Sequence, residues 1–159
     1  MKITILAVGK LKETYLRDAV AEYAKRLAPF AKMEFIEIAE EKRPENFSAA
    51  EKEKTLVREG ERLLARVPQG SELIVLDVAG EALSSEAFAA RLGQRMTEGV
   101  SSLTFLIGGA FGLSPDVRNA ARLRLSLSKM TFTHQMARVL LIEQIYRAFK
   151  ILRGEKYHW

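Results

Sequence analysis

The sequence predicts a single α/β domain built on a mostly parallel sheet with helices on both faces. Three observations predict it. Short, β-rich apolar runs alternate with segments of helical period along the chain, the pattern of strand-helix-strand units. Two of the runs, at Leu73-Ile74-Val75-Leu76 and Leu103-Thr104-Phe105-Leu106-Ile107, are apolar enough to need cover on both sides. Finally, 159 residues leave no room for a second full domain, so residues 1–159 are read as one.

Each element has its own signal. Ile3 to Val8 is a buried strand ended by Gly9. From Thr14 to Leu27, apolar residues recur at Leu16, Ala19, Val20, Tyr23, Ala24 and Leu27, the spacing of one helical face, and Pro29 follows. Met33 to Ile38 predicts a second strand, and the charged stretch from Glu40 to Pro44 a loop. Ser48 with Glu51 forms a capping box that opens a long helix to about Val67, its Glu and Lys residues making a solvated face. Pro68-Gln69-Gly70 turns the chain into a strand from Glu72 to Asp77, and Ser84 or Ser85 caps a helix to about Thr97.

The strand Leu103 to Ile107 ends in Gly108-Gly109-Ala110-Phe111-Gly112, and Pro115 lies in the first turn of a short helix from Ser114 to about Arg122. A short strand from Leu123 to Leu127 precedes the longest apolar helix, Gln135 to Leu152. Apolar residues cover more than one face of that helix and leave Glu143, Arg147 and Lys150 as a narrow polar stripe. One face for the domain and one for a partner accounts for this breadth; burial within the chain is the alternative. No internal repeat, linker or low-complexity segment interrupts the pattern.

Composition excludes several classes of function. The chain has no cysteine, which removes disulfides, thiolate metal sites and a cysteine nucleophile. His134 and His158 are far apart, with no carboxylate at ligand spacing, so no metal is expected. The opening apolar run is too short for a signal peptide and no later run approaches a membrane span, so the expected location is the cytoplasm. Residues 101–159 carry nine Lys and Arg against three Asp and Glu, whereas the first 100 residues are nearly balanced. That last third either meets a polyanion or is a solvated basic face.

Ligands of open parallel sheets bind beyond the carboxyl ends of the strands, and three such ends are unusual here: Leu76 to Gly80, Gly108 to Gly112, and Leu127 to Phe132. The glycines allow close backbone approach to a nucleoside or anion; a tight strand-to-helix turn is the competing reading. Neither a Walker loop nor a Gly-x-Gly-x-x-Gly fingerprint is present, which counts against a nucleotide-dependent oxidoreductase. No serine has Gly-x-Ser-x-Gly neighbours, so Ser114 reads as a helix cap and not a nucleophile. His134 precedes the last helix, as a cap or surface residue or as an RNA contact. The tail Tyr157-His158-Trp159 places three rings after a basic helix end; such rings stack on unpaired bases, although chain ends also fray.

Several blocks together carry a resemblance. Phe105-Leu106-Ile107-Gly108-Gly109-x-x-Gly112-Leu113-Ser114, then Leu125-Ser126-Leu127-Ser128, then His134-Gln135-Met136-Ala137-Arg138 through Ala148, and Tyr157-His158 resemble the large-subunit ribosomal RNA methyltransferase H family of the SPOUT class. The similarity runs over essentially the whole chain, with Ala110 standing where proline is common and Lys156 and Trp159 flanking the tail motif unusually. It implies a deep C-terminal trefoil knot, a homodimer, and S-adenosylmethionine as cofactor. The implied reaction is methylation of N3 of a pseudouridine in helix 69 of 23S rRNA, with the ribosome as partner. Leu76, Gly108 and the stretch Leu127, Ser128, Lys129, Met130, Thr131 and Phe132 match the family's cofactor positions. His134, Arg138, Arg147, Tyr157 and His158 match its RNA-side positions; of these, Arg147, Tyr157 and His158 are expected to be catalytic, Arg147 stabilising the imide anion and Tyr157 and His158, from the facing subunit, stacking on or hydrogen-bonding the base. The alternative function is a non-catalytic ribosome-binding factor with a vestigial nucleoside pocket.

Overall fold

Along the first strand, β1 (Lys2–Val8), Ile3, Ile5 and Ala7 enter one hydrophobic core while Leu6 and Val8 enter another. Side chains alternate across a strand, so a strand buried on both sides must lie inside a sheet with cover above and below. The coordinates are a computed structural model that describes residues 1–42 and 47–157. Helices α1 (Thr14–Leu27), α3 (Ser85–Thr97) and α5 (His134–Leu152) cover one face, and α2 (Ala49–Leu64) and α4 (Pro115–Ala120) the other.

The other strands are β2 (Lys32–Ile38), β3 (Glu72–Ala82), β4 (Ser102–Ile107) and β5 (Leu123–Ser126), all parallel, in the order β2-β1-β4-β3-β5. The central position of β4 explains its composition: Leu103, Phe105 and Ile107 fill the core under α1, α3 and α5, and Leu106 the opposite core. Each such side chain contributes roughly 1.5–3 kcal/mol when fully buried.

The expected architecture is present, with differences at the ends of elements. β3 continues beyond Asp77 to Ala82, because a register shift between Leu76 and Glu81 lets it pair with β5 a second time. Gly80 makes this possible, since a Cβ there would lie 2.5 Å from the Arg124 carbonyl oxygen. Ser48 and Glu51 form the expected capping box, whereas α2 stops at Leu64 and α4 at Ala120. Ser84, not Ser85, caps α3. The cap of α5 is Thr133, whose hydroxyl accepts from the Met136 amide, so His134 is the first helical residue and not the cap.

The breadth of apolar surface on α5 is largely absorbed by its own chain. Leu141, Ile142, Ile145, Ala148 and Phe149 are buried, and Phe30 stacks on Phe149 with ring centroids 5.6 Å apart. Met136 and Leu152 stay exposed near its two ends.

Candidate functional site

Beyond the carboxyl ends of β3, β4 and β5 lies a cleft of about 780 Å³, within the range of cofactor sites, roughly 300–1,000 Å³. Its floor is the glycine turn. The Gly112 amide donates to the Gly109 carbonyl at 3.0 Å, and Gly112 has φ +85°, a left-handed conformation that glycine adopts without strain. At Gly108 a Cβ would lie 2.4 Å from the Gly112 carbonyl oxygen, so the turn itself demands glycine. The two readings of the glycine cluster are therefore compatible: a tight turn that also walls a cleft. Ser114 then caps α4 by accepting from the Val117 amide, as expected of a cap.

The opposite wall is the stretch after β5. The Ser126 hydroxyl donates to the Ser128 carbonyl at 3.0 Å, and the Met130 amide donates to Ser128 Oγ at 3.0 Å, bending the backbone over the cleft. Of the expected cofactor residues, Leu76, Gly108, Leu127, Ser128, Met130, Thr131 and Phe132 line this one cleft; Lys129 is not among its lining residues. Leu76, Leu113, Leu125 and Leu127 give it apolar walls. Backbone amides and carbonyls at the two bends supply hydrogen-bonding groups suited to a purine ring.

Asp77 is a functional candidate that sequence reasoning missed. Its carboxylate receives the Ala79 amide at 3.0 Å, Arg124 Nε at 3.0 Å, and lies 3.1 Å from Arg118 Nε. It thereby ties the irregular end of β3 to β5 and to α4, fixing three sides of the cleft. Burial pushes the Asp77 carboxyl up, but the Ala79 amide and the two guanidinium groups more than reverse this and hold it below the usual value. Leu76-Asp77 was visible as a strand end; its arginine partners come from later elements that no spacing rule connects to it.

The expected RNA-side residues divide. His134 lines the cleft, with Nε2 3.3 Å from Glu40 Oε1. Arg138, expected as an RNA contact, turns inward. Its guanidinium donates to Glu37 Oε1 at 2.6 Å and to the carbonyls of Val8 and Gly9 at 3.0 and 2.6 Å, and the residue is 4% exposed. The arginine sits one helical turn beyond His134, and that turn faces the ends of β1 and β2, whose carbonyls need donors.

Arg147 and Tyr157 do not line the cleft. At 1.5 Å per residue Arg147 lies about 20 Å along α5 from His134. Arg147 Nη2 donates to Glu143 Oε1 at 2.6 Å, and its guanidinium lies 4.8 Å from the centroid of the Tyr157 ring. The Glu143 hydrogen bond raises the pKa of Arg147, keeping it charged. Tyr157 packs edge-on against Tyr146 with centroids 4.8 Å apart. Burial, the Tyr23 hydroxyl and the Glu143 charge together push its phenol pKa upward. The third expected catalytic residue, His158, lies outside the described residues, as does Trp159.

Glu59, also unforeseen, is 6% exposed on α2, accepts from the Glu41 amide, and packs beside Gly109. Burial raises its pKa; the Glu41 amide and Arg62 oppose this, and the Glu41 and Glu40 charges add to it. No group of residues suited to a metal ion occurs among the described residues, and no helix among them is long and apolar enough to cross a membrane.

Comparison with known proteins agrees with this architecture. A family model described as predicted SPOUT methyltransferase matches residues 1–158. Among solved structures, a probable methylase family protein from Haemophilus influenzae Rd KW20 is similar over 99% of this chain and 70% of its own, with TM-score 0.55 and 11% identity. The SpoU methyltransferase AviRb from Streptomyces viridochromogenes, solved with its cofactor AdoMet, matches 98% of this chain and 59% of its own, with TM-score 0.48 and 12% identity. The first likeness concerns the fold, and the family match spans nearly all of the sequence: the chain belongs to the SPOUT methyltransferase family.

Proposed function

We propose that this chain is a homodimeric methyltransferase that uses S-adenosylmethionine to methylate N3 of a pseudouridine in helix 69 of 23S rRNA, acting on the ribosome in the cytoplasm. The observation that carries the reading is the single cleft that gathers the glycine turn, Leu76 and the 127–132 bend, in a chain of a methyltransferase family. The sequence blocks from His134 to Ala148 and at Tyr157-His158 supply the choice of rRNA. The deep C-terminal trefoil knot of the class belongs to the same reading.

The residues present fit the methyl donor. The backbone of Gly108 and of Leu127 to Phe132 would hold the adenine, Leu76 and Leu125 would flank it, and Asp77 with Arg118 would keep the walls in place. When bound, S-adenosylmethionine supplies an electrophilic methyl carbon. Alignment of that carbon with the acceptor nitrogen, and exclusion of water, are then the tasks of the protein. The imide N3 carries a proton, so the acceptor must be deprotonated before or during attack. Arg147 offsets negative charge on the imide, and Tyr157 and His158 stack on or hydrogen-bond the base. The separation of Arg147 and Tyr157 from the cleft of their own chain fits a site completed by the facing subunit. Exposed Val78, Met130, Phe132 and Met136 beside the cleft give that subunit apolar surface to cover.

Calorimetry with S-adenosylmethionine, followed by tritium-methyl transfer to free rRNA, 50S and 70S particles from cells lacking the modification, tests the reading. Saturable donor binding and incorporation at the helix 69 pseudouridine are expected. Ribosome binding with no incorporation would instead make the chain a binding factor with a vestigial pocket.

A further inference from the structure

Glu143 ties together the polar groups at the far end of α5. Its Oε1 accepts from Arg147 Nε at 3.1 Å, from Arg147 Nη2 at 2.6 Å and from the Tyr157 hydroxyl at 3.2 Å, while Oε2 accepts from Gln144 Nε2 at 2.8 Å. Tyr157 has one hydroxyl proton, and it points to Glu143. At the 3.3 Å contact between Tyr157 and Tyr23, the donor is therefore Tyr23. The Tyr157 oxygen thus donates to a carboxylate, accepts from one phenol, and retains a second lone pair. A hydroxyl held in that way can receive a proton on one side as it releases one on the other.

We propose that Glu143 is the terminal proton acceptor of methyl transfer, taking the N3 proton of the target base through the Tyr157 hydroxyl. The inference rests on the reading above, in which Tyr157 meets the base. A phenol that stays protonated at neutral pH is a poor base alone, so a relay must exchange its proton and not merely use an ionised form. The step balances as follows. The N3–H bond breaks and the N3–CH3 bond forms while the donor's S–CH3 bond breaks, its electron pair staying on sulfur. The N3 proton passes to Tyr157 Oη, the phenol proton passes to Glu143 Oε1, and the neutral carboxyl later returns its proton to water. Arg147 stays charged throughout, its guanidinium beside the Tyr157 ring. Glu143 acts through Tyr157, whereas Tyr23 holds the phenol in place from α1.

The test uses the full chain, S-adenosylmethionine and rRNA lacking the modification, in single-turnover methyl transfer with Glu143→Gln, Tyr157→Phe and the double variant. Glutamine still accepts from Arg147 and Tyr157 but takes no proton, so a purely positional Glu143 tolerates the change. The relay predicts a fall of about 100-fold or more in the transfer rate of Glu143→Gln, with donor affinity unchanged within about twofold. Tyr157→Phe loses a similar factor, and the double variant loses no more than either. In carbon-13 tyrosine NMR, Glu143→Gln lowers the pH at which Tyr157 ionises, because one negative charge leaves a phenol otherwise faced by Tyr23, Tyr146 and Arg147. Transfer by Glu143→Gln within about threefold of the parent chain, or losses that multiply in the double variant, overturns the relay alone. A Tyr157 titration that does not move does the same. A parent chain that transfers no methyl to this RNA removes the function and the relay together.

Discussion

Replacement of Arg138 by methionine separates a structural arginine from an RNA-binding one. Methionine keeps most of the volume but withdraws the donors that serve Glu37 and the Val8 and Gly9 carbonyls. Glu37 is 35% exposed in its side chain and recovers water, so its share is small, about 0–1 kcal/mol. The two carbonyls lose charge-assisted partners worth roughly 1.5 kcal/mol each at the low end of the range. Burial of the guanidinium is unfavourable and Arg138 Nε has no partner among the described residues, which offsets part of the loss. The net expectation is a destabilisation of about 2–3 kcal/mol, or roughly 5–10 °C in Tm for a chain of this size. Equilibrium urea unfolding and thermal melting measure it, and RNA affinity is then measured well below the melting range. A variant with unchanged midpoint and weakened RNA binding would refute the structural assignment.

Gly108→Ala should cost about 1–3 kcal/mol, because its Cβ would collide with the Gly112 backbone, and should abolish donor binding in calorimetry; undiminished affinity would remove the turn from the site. Asp77 has a depressed pKa in the fold, so its stabilising contribution is present above the unfolded value and disappears as pH falls through the folded one. Asp77→Asn should accordingly lower Tm at pH 7 and converge with the parent chain in acid; equal gaps at both pH values would contradict it. Glu59 has a raised pKa, so its contribution is full below the unfolded value and is lost as pH rises through the folded one. Glu59→Gln should therefore be more stable than the parent at pH 8, with the difference shrinking in weak acid. Urea titrations at the two pH values decide, and a variant less stable at pH 8 would show that the carboxylate form is the favoured one.

Much of the architecture was legible in local chemistry. Ser48 and Glu51 announced α2, Pro115 announced α4, and the two-sided apolar runs of β3 and β4 announced a covered sheet, because caps and periodicity are properties of neighbours in sequence. The cleft was legible as three unusual strand ends, since the carboxyl edge of a parallel sheet brings such ends together. What the sequence did not disclose depends on partners far along the chain. The charge of Arg138 says nothing of the Val8 and Gly9 carbonyls that bind it, and Asp77 looks like an ordinary strand end until Arg118 and Arg124 arrive. The continuation of β3 past Asp77 was hidden because its signal is a glycine, Gly80, whose meaning lies in the close approach of β5.

The strand order has a consequence for how the chain is made. β1 and β3 never touch as neighbours; β4 stands between them, and it is synthesised after both. Until residue 107 has left the ribosome, β1 and β3 each present an unpaired inner edge, rich in isoleucine, leucine and valine, to whatever is nearby. Pairing across such long separations is entropically slow. The middle of the sheet is thus a keystone set after both of its neighbours, and the nascent chain needs shelter for these two inner edges until it arrives.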